Sequence, residues 1–167
     1  MKKHYYLLIG SLLLCGFVQA QTYKMHALYM YSFSKYITWP DSGSGEDFKI
    51  GIVGESSIAA PLEKMASLKK VNNRLIKVIT FSSVEEIQDC NILFLPVEQS
   101  TNFSKALNTV GDRPILLVTE KEGLGAKGSS INFLLKDKRL VFEINNEAIS
   151  KANLEIAPEL KKYAIQL

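Results

Sequence analysis

Asn91-Ile-Leu-Phe-Leu95 and Pro114-Ile-Leu-Leu-Val118 are apolar nearly throughout, the pattern of strands covered on both faces. Between them, Ser100 to Val110 places Phe103, Ala106, Leu107 and Val110 on one helical stripe and ends at Gly111. The same alternation extends towards the N-terminus. Phe48-Lys-Ile-Gly-Ile-Val53 reads as a strand, and Gly54-Glu-Ser-Ser57 as a turn in which Ser56 or Ser57 can cap a helix over Ile58 to Leu68. Leu75 to Thr80 alternates as a further strand, and Ser83-Val-Glu-Glu86 starts a short helix. Strand and helix thus take turns through four strands, the signature of a parallel sheet with helices on its faces.

Beyond Val118 the pattern changes. Ile131-Asn-Phe-Leu-Leu135 and Arg139-Leu-Val-Phe-Glu-Ile144, joined by Lys136-Asp137-Lys138, suit an antiparallel hairpin. Asn145 can cap a helix through Lys151, and Pro158 opens a second short helix through Ala164. The expected fold is therefore α/β: a three-layer sandwich with a mostly parallel sheet and a C-terminal antiparallel hairpin. Residues 21–167 form one domain with no internal repeat or linker.

Ahead of the first strand, Thr22 to Ile37 has helical spacing. Met25, Leu28, Tyr29, Ser32, Phe33, Tyr36 and Ile37 make the apolar stripe, with Met30 and Tyr31 opposite. Thr38-Trp39-Pro40 ends the helix, because a residue before proline resists the helical conformation. Asp41 to Glu46 is a polar, glycine-containing loop.

Residues 1–20 read as a secretory signal peptide: Lys2 and Lys3, an apolar run from Tyr5 to Val18, and a cleavage site ending at Ala20. The apolar run is shorter than the roughly twenty residues of a spanning helix. Leu14 before Cys15 disfavours a lipid anchor, and no later segment suits a membrane span, so a soluble exported domain beginning at Gln21 is expected. Cleavage leaves 18 basic against 17 acidic residues, a net charge of +1, which gives no electrostatic case for nucleic acid or for anionic membrane. Cys90 is then the single cysteine. It reads as a small, half-buried hydrophobe, with an intermolecular disulfide or a redox role as the alternative.

Reactive chemistry has little material. Gly123, Gly125 and Gly128 match G-x-G-x-x-G, yet a strand follows where a dinucleotide loop needs a helix. Gly51 and Gly54 are better placed, at a strand end before a helix, and there Gly54, Glu55 and Ser56 are candidate small-molecule contacts. His26 reads as a helix-surface histidine packed among tyrosines. No zinc spacing exists, Asp41, Glu46 and Asp47 lack the spacing of a calcium loop, and Glu85 and Glu86 do not face each other. No cofactor, metal site or catalytic residue is expected, and an enzyme is the weakest of the readings.

Two clusters favour binding. The first holds Tyr29, Tyr31, Phe33, Tyr36 and Trp39, residue types enriched at interfaces. Its main face packs on the sheet, while Tyr31, Tyr36 and Trp39 are candidate partner contacts. The second holds Arg139 and Glu143 on one strand face with Asn132 and Asn145 nearby. Arg139 and Glu143 are either an internal ion pair or further partner contacts.

In chain order, Tyr36-Ile-Thr-Trp-Pro40, Lys49-Ile-Gly-Ile-Val-Gly54, Cys90-Asn-Ile-Leu-Phe94, Ile131-Asn-Phe133, Arg139-Leu-Val-Phe-Glu-Ile-Asn145, Ala148, Ala152, Leu154 and Leu160-Lys-Lys-Tyr-Ala164 make the chain resemble the YfiR/HmsC-like periplasmic family. The resemblance covers nearly all of residues 21–167. It implies a Rossmann-like sandwich in the periplasm that binds the sensory domain of an inner-membrane diguanylate cyclase and holds it inactive. Release would raise cyclic di-GMP and favour biofilm formation. Some members carry disulfides, whereas this chain offers only Cys90. The expected partner is thus the periplasmic domain of a membrane sensor, with a homodimer left open. A small-molecule-binding module without a cyclase partner is the alternative.

Overall fold

The structure, a computed structural model, describes residues 22–40 and 46–167. The expected signal peptide, Cys15 and Asp41 lie outside the described residues. Residues 22–36 form helix α1, followed by β1 (Ile37–Thr38), β2 (Phe48–Val53), α2 (Ala59–Leu68), β3 (Lys70–Val71) and β4 (Arg74–Phe81). Next come β5 (Ile92–Leu95), α3 (Phe103–Val110), β6 (Leu116–Thr119), β7 (Ile131–Lys136) and β8 (Arg139–Ile144). The chain ends in α4 (Asn146–Lys151), β9 (Glu155–Ile156), α5 (Pro158–Lys161) and β10 (Ile165–Gln166).

The main sheet runs β10-β8-β7-β6-β5-β2-β4-β3. Strands β4, β2, β5, β6 and β7 are mutually parallel. Chain order reverses between β2 and β5, as in doubly wound folds, whose ligands lie beyond the carboxyl ends of the strands at that switch point. The two central strands, β5 and β6, are buried at every position, as their apolar runs Ile92–Leu95 and Leu116–Val118 require, with Thr119 the one polar residue among them.

The sheet separates two cores. On one face, Tyr23, Ala27, Met30 and Phe33 of α1 and Leu62 and Met65 of α2 pack on Ile50, Ile52, Ile92, Phe94 and Phe133. On the other, Phe103, Ala106 and Val110 of α3 pack on Val53, Leu93, Leu95 and Leu117. This is the expected Rossmann-like three-layer sandwich.

The C-terminal hairpin β7–β8 is antiparallel, pairing Lys136 with Arg139 across a two-residue turn. Asp137 and Lys138 both have positive φ there (51° and 61°), the geometry whose twist matches a hairpin. A second such turn, Asn72-Asn73, joins β3 to β4 and was not expected. Two further departures concern edges. The last helix stops at Lys161, and Ile165–Gln166 instead pair in parallel with Glu143–Ile144. Helix α1 stops at residue 36, and Ile37–Thr38 form a small antiparallel pair with Glu155–Ile156. These strands are two residues long, too short to carry a period.

Candidate functional site

Helix α1 is rolled about its axis relative to the expectation. The face on the sheet is Tyr23, His26, Ala27, Met30, Phe33, Ser34 and Ile37, all buried. Met25, Leu28 and Tyr36 face outward instead, each more than 40% exposed. Both stripes have helical spacing and both are apolar, so periodicity alone does not choose between them. Phe33, common to both, stacks on Phe133 at 5.8 Å and meets Phe142 edge-on at 5.1 Å, while His26, which only the observed face holds, meets Phe133 edge-on at 4.3 Å. The outcome is an apolar helix face left in solvent, the kind of surface that proteins use to meet partners.

Tyr31 is half-buried, with the ammonium groups of Lys35 and Lys69 4.8 and 5.8 Å from its ring centre. Tyr36 is 44% exposed, while its carbonyl accepts from Ala157 N at 2.8 Å. Trp39 is different. It is buried, edge-on to Phe48 at 5.2 Å, and its Nε1 donates to the Asn91 carbonyl at 3.1 Å. The expectation of Trp39 as a surface contact is therefore corrected: the indole has a polar partner inside and large area to bury, so it closes the core below α1.

Arg139 is exposed at the start of β8, and Glu143 is half-buried near its end. Among the described residues no ion pair joins them. Glu143 instead accepts from Asn132 Nδ2 at 2.9 Å, directly across the ladder. Asn132 Oδ1 accepts a hydrogen bond from Thr119 Oγ1 at 2.7 Å. Ser129 Oγ sits 2.8 Å from both Thr119 Oγ1 and the Ile131 carbonyl. Thr119, Ser129 and Asn132 are fully buried, so this chain is a structural network that holds β6, β7 and β8 in register. Asn145 caps α4 by accepting from Ala148 N at 2.9 Å.

At the switch point, Gly54 is buried with φ of 73°, and its amide donates to the Phe81 carbonyl at 2.8 Å. A β-carbon at Gly54 would lie 2.6 Å from Gln99 Nε2, so the Gln99 side chain covers the glycine, and the positive φ favours glycine there. Glu55 is exposed and Ser56 half-buried, its Oγ accepting from Ile58 N at 3.4 Å.

The carboxyl ends of β5 and β6 hold a cluster that sequence reasoning missed. Tyr23 Oη donates to Glu120 Oε1 at 3.1 Å, and Val97 N donates to the same oxygen at 3.0 Å. His26 is 3% exposed, which corrects the surface reading. Its Nε2 lies 3.7 Å from Glu120 Oε2, and neither ring nitrogen makes a hydrogen bond of ordinary geometry. Burial pushes the imidazole down to about 4, opposed only by the Thr22 backbone. Burial raises both the Glu120 carboxyl and the Tyr23 phenol. The available signal was Tyr23, His26, Ala27 and Met30 at helical spacing, together with an acid placed directly after the buried strand β6.

Cys90 is 7% exposed, and burial pushes its thiol up to about 12, the setting of an unreactive packed cysteine. Among the described residues no group of three His, Cys, Asp or Glu side chains is placed to hold a metal ion, and no helix is long and apolar enough to cross a membrane. Two open grooves, of about 290 and 330 Å³, lie away from the His26 cluster: one between α3 and α4, the other beside Trp39 and Arg113.

Fold and surface together define a doubly wound α/β domain that presents an apolar helix face at its exterior. The sequence pattern of the YfiR/HmsC-like family matches residues 23–164. The chain belongs to the YfiR/HmsC-like family, a regulatory family of periplasmic proteins. No curated protein matches the sequence. Among solved structures, the chain is similar to the ABC domain in complex with L-Trp from Streptococcus pneumonia, with a TM-score of 0.51 and 12% identity. The alignment covers 71% of this chain and 54% of that one, so the chain spans about half the length of its solved relative. At that identity the likeness shows the fold alone.

Proposed function

We propose that this protein is exported to the periplasm after cleavage at Ala20. There it binds the periplasmic domain of an inner-membrane sensor, a diguanylate cyclase, and represses it. The observation that carries this reading is the family match across residues 23–164, since the family regulates cyclic di-GMP cyclases. The outward face of α1 supplies the surface: Met25, Leu28 and Tyr36 in one stripe, with Tyr31 on its flank. Arg139, at the exposed end of β8, is a second contact. Repression follows if this surface fits the inactive sensor better than the active one, because a binder shifts an equilibrium only by its differential affinity.

Tyr31 is half-buried at the margin of the core and Tyr36 is 44% exposed, so replacing both with alanine is expected to cost some stability while the domain stays folded. Paired interface tyrosines commonly contribute about 2 kcal/mol or more, which is about 30-fold in affinity. The expected result is that Y31A/Y36A still unfolds cooperatively well above the assay temperature and captures the purified periplasmic domain of the cyclase at least about 30-fold more weakly. Equal capture by the parent and the double variant would remove this surface from the interface.

A further inference from the structure

His26 is enclosed by rings. Phe133 of β7 meets it edge-on at 4.3 Å, Tyr23 lies at 5.4 Å and Phe94 of β5 at 6.3 Å. The titratable groups around it are Tyr23 on α1, Glu120 after β6, and Glu98, which acts on both of these from the turn after β5. Strands β5 and β7 present only phenylalanine to the imidazole. Glu120 ties the start of α1 to the turn after β5, because one carboxyl oxygen accepts from both Tyr23 and Val97.

We propose that Tyr23, His26 and Glu120 form an acid-operated latch, in which a proton taken up by His26 frees the first turns of α1 from the carboxyl ends of β5 and β6. A neutral imidazole suits the aromatic box. An imidazolium does not: the facing carboxyl oxygen, Glu120 Oε2, is 3.7 Å away, beyond hydrogen-bond reach, which leaves the Thr22 backbone as its support, and a buried charge so weakly partnered is costly. Glu120 offers poor rescue. Its other oxygen is already engaged, and burial together with Glu98 favours its neutral form. The charge is therefore relieved by moving His26 towards water, which lifts the segment that carries it. The latch depends on no assumption about the partner.

The sign follows from proton counting. The folded imidazole is lowered to about 4 from 6.5, so the open state binds more protons between those values. Acidification across that window favours opening, and below about 4 the effect levels off. Glu120, raised in the folded state, acts with the opposite sign in its own window, so the comparison needs a variant that silences His26 alone.

His26→Phe does this and suits the aromatic box. The test is hydrogen exchange of the whole protein, corrected for intrinsic rates, at pH 7 and pH 4. In the parent, the amides of residues 23–30 are expected to lose protection by on the order of 100-fold relative to those of β5, whereas H26F shows no such loss. A proton NMR titration of the parent provides a check should H26F not fold: the His26 ring is expected to stay neutral to below pH 5. Equal pH dependence in parent and variant, protection of α1 that rises on acidification, or a His26 ring that titrates at pH 6 or above would each overturn the latch.

Discussion

Replacing Trp39 with alanine is expected to destabilise the domain by about 3–5 kcal/mol, the range for removing a buried large aromatic side chain. Two losses combine. The indole is 6% exposed and packs edge-on against Phe48, so its removal opens a cavity at the start of β2. Its Nε1 donates to the Asn91 carbonyl, which also accepts from Leu116 N at 2.9 Å. The Asn91 side chain in turn accepts from Lys49 N at 2.8 Å, so this one residue joins the amino ends of β2, β5 and β6. Urea unfolding of parent and W39A measures the effect. A midpoint unchanged by the substitution would mean that Trp39 contributes nothing to the core, contrary to its burial.

The second large effect is expected at Asn132. Asn132→Ala takes one of two acceptors from the buried Thr119 hydroxyl, leaving Ser129 Oγ at 2.8 Å, and takes from Glu143 the donor supplied by Asn132 Nδ2. An unsatisfied buried polar group costs about 1–3 kcal/mol, and here Ser129 still serves Thr119 while water reaches part of Glu143, so the expected loss is about 1–2 kcal/mol. Thr119→Val removes the hydroxyl at one end of the same bond. The double variant is then expected to lose less than the two single losses added together, because N132A has already broken the Thr119 bond. Strict additivity, measured by urea unfolding, would contradict the network.

The layers of the fold were legible in the sequence because each long element announces itself. Ile92–Leu95 and Ile115–Val118 are apolar runs that a two-sided cover explains, and the spacing of Phe103, Ala106 and Val110 fits one helix face. What was not legible has a common cause: contact between segments distant in the chain. The two-residue strands at Ile37, Glu155 and Ile165 exist only because a neighbour lies alongside. The roll of α1 was undetermined because Met25 and Leu28 are as apolar as Ala27 and Met30. Contacts across the chain, such as Phe133 meeting His26 at 4.3 Å, go with one face and not the other. The Asn72-Asn73 turn is a different kind of miss, since asparagine tolerates positive φ and the pair is a local hairpin signal.

Among the expected contact residues, the structure separates two kinds. Tyr31, Tyr36 and Arg139 remain available to a partner, whereas Trp39 and Glu143 are engaged inside the domain. An aromatic residue at a helix end reads the same way in either role until its polar atom is placed. Trp39 Nε1 finds a carbonyl within the fold, and that contact assigns it to the core.

Regulation by binding makes one demand on the living cell. In cells that carry the cyclase, cyclic di-GMP is measured with the gene for this protein intact, deleted, and restored. The account predicts that the second messenger rises on deletion and returns to its starting level on restoration. A level that stays unchanged or falls when the protein is lost would contradict it.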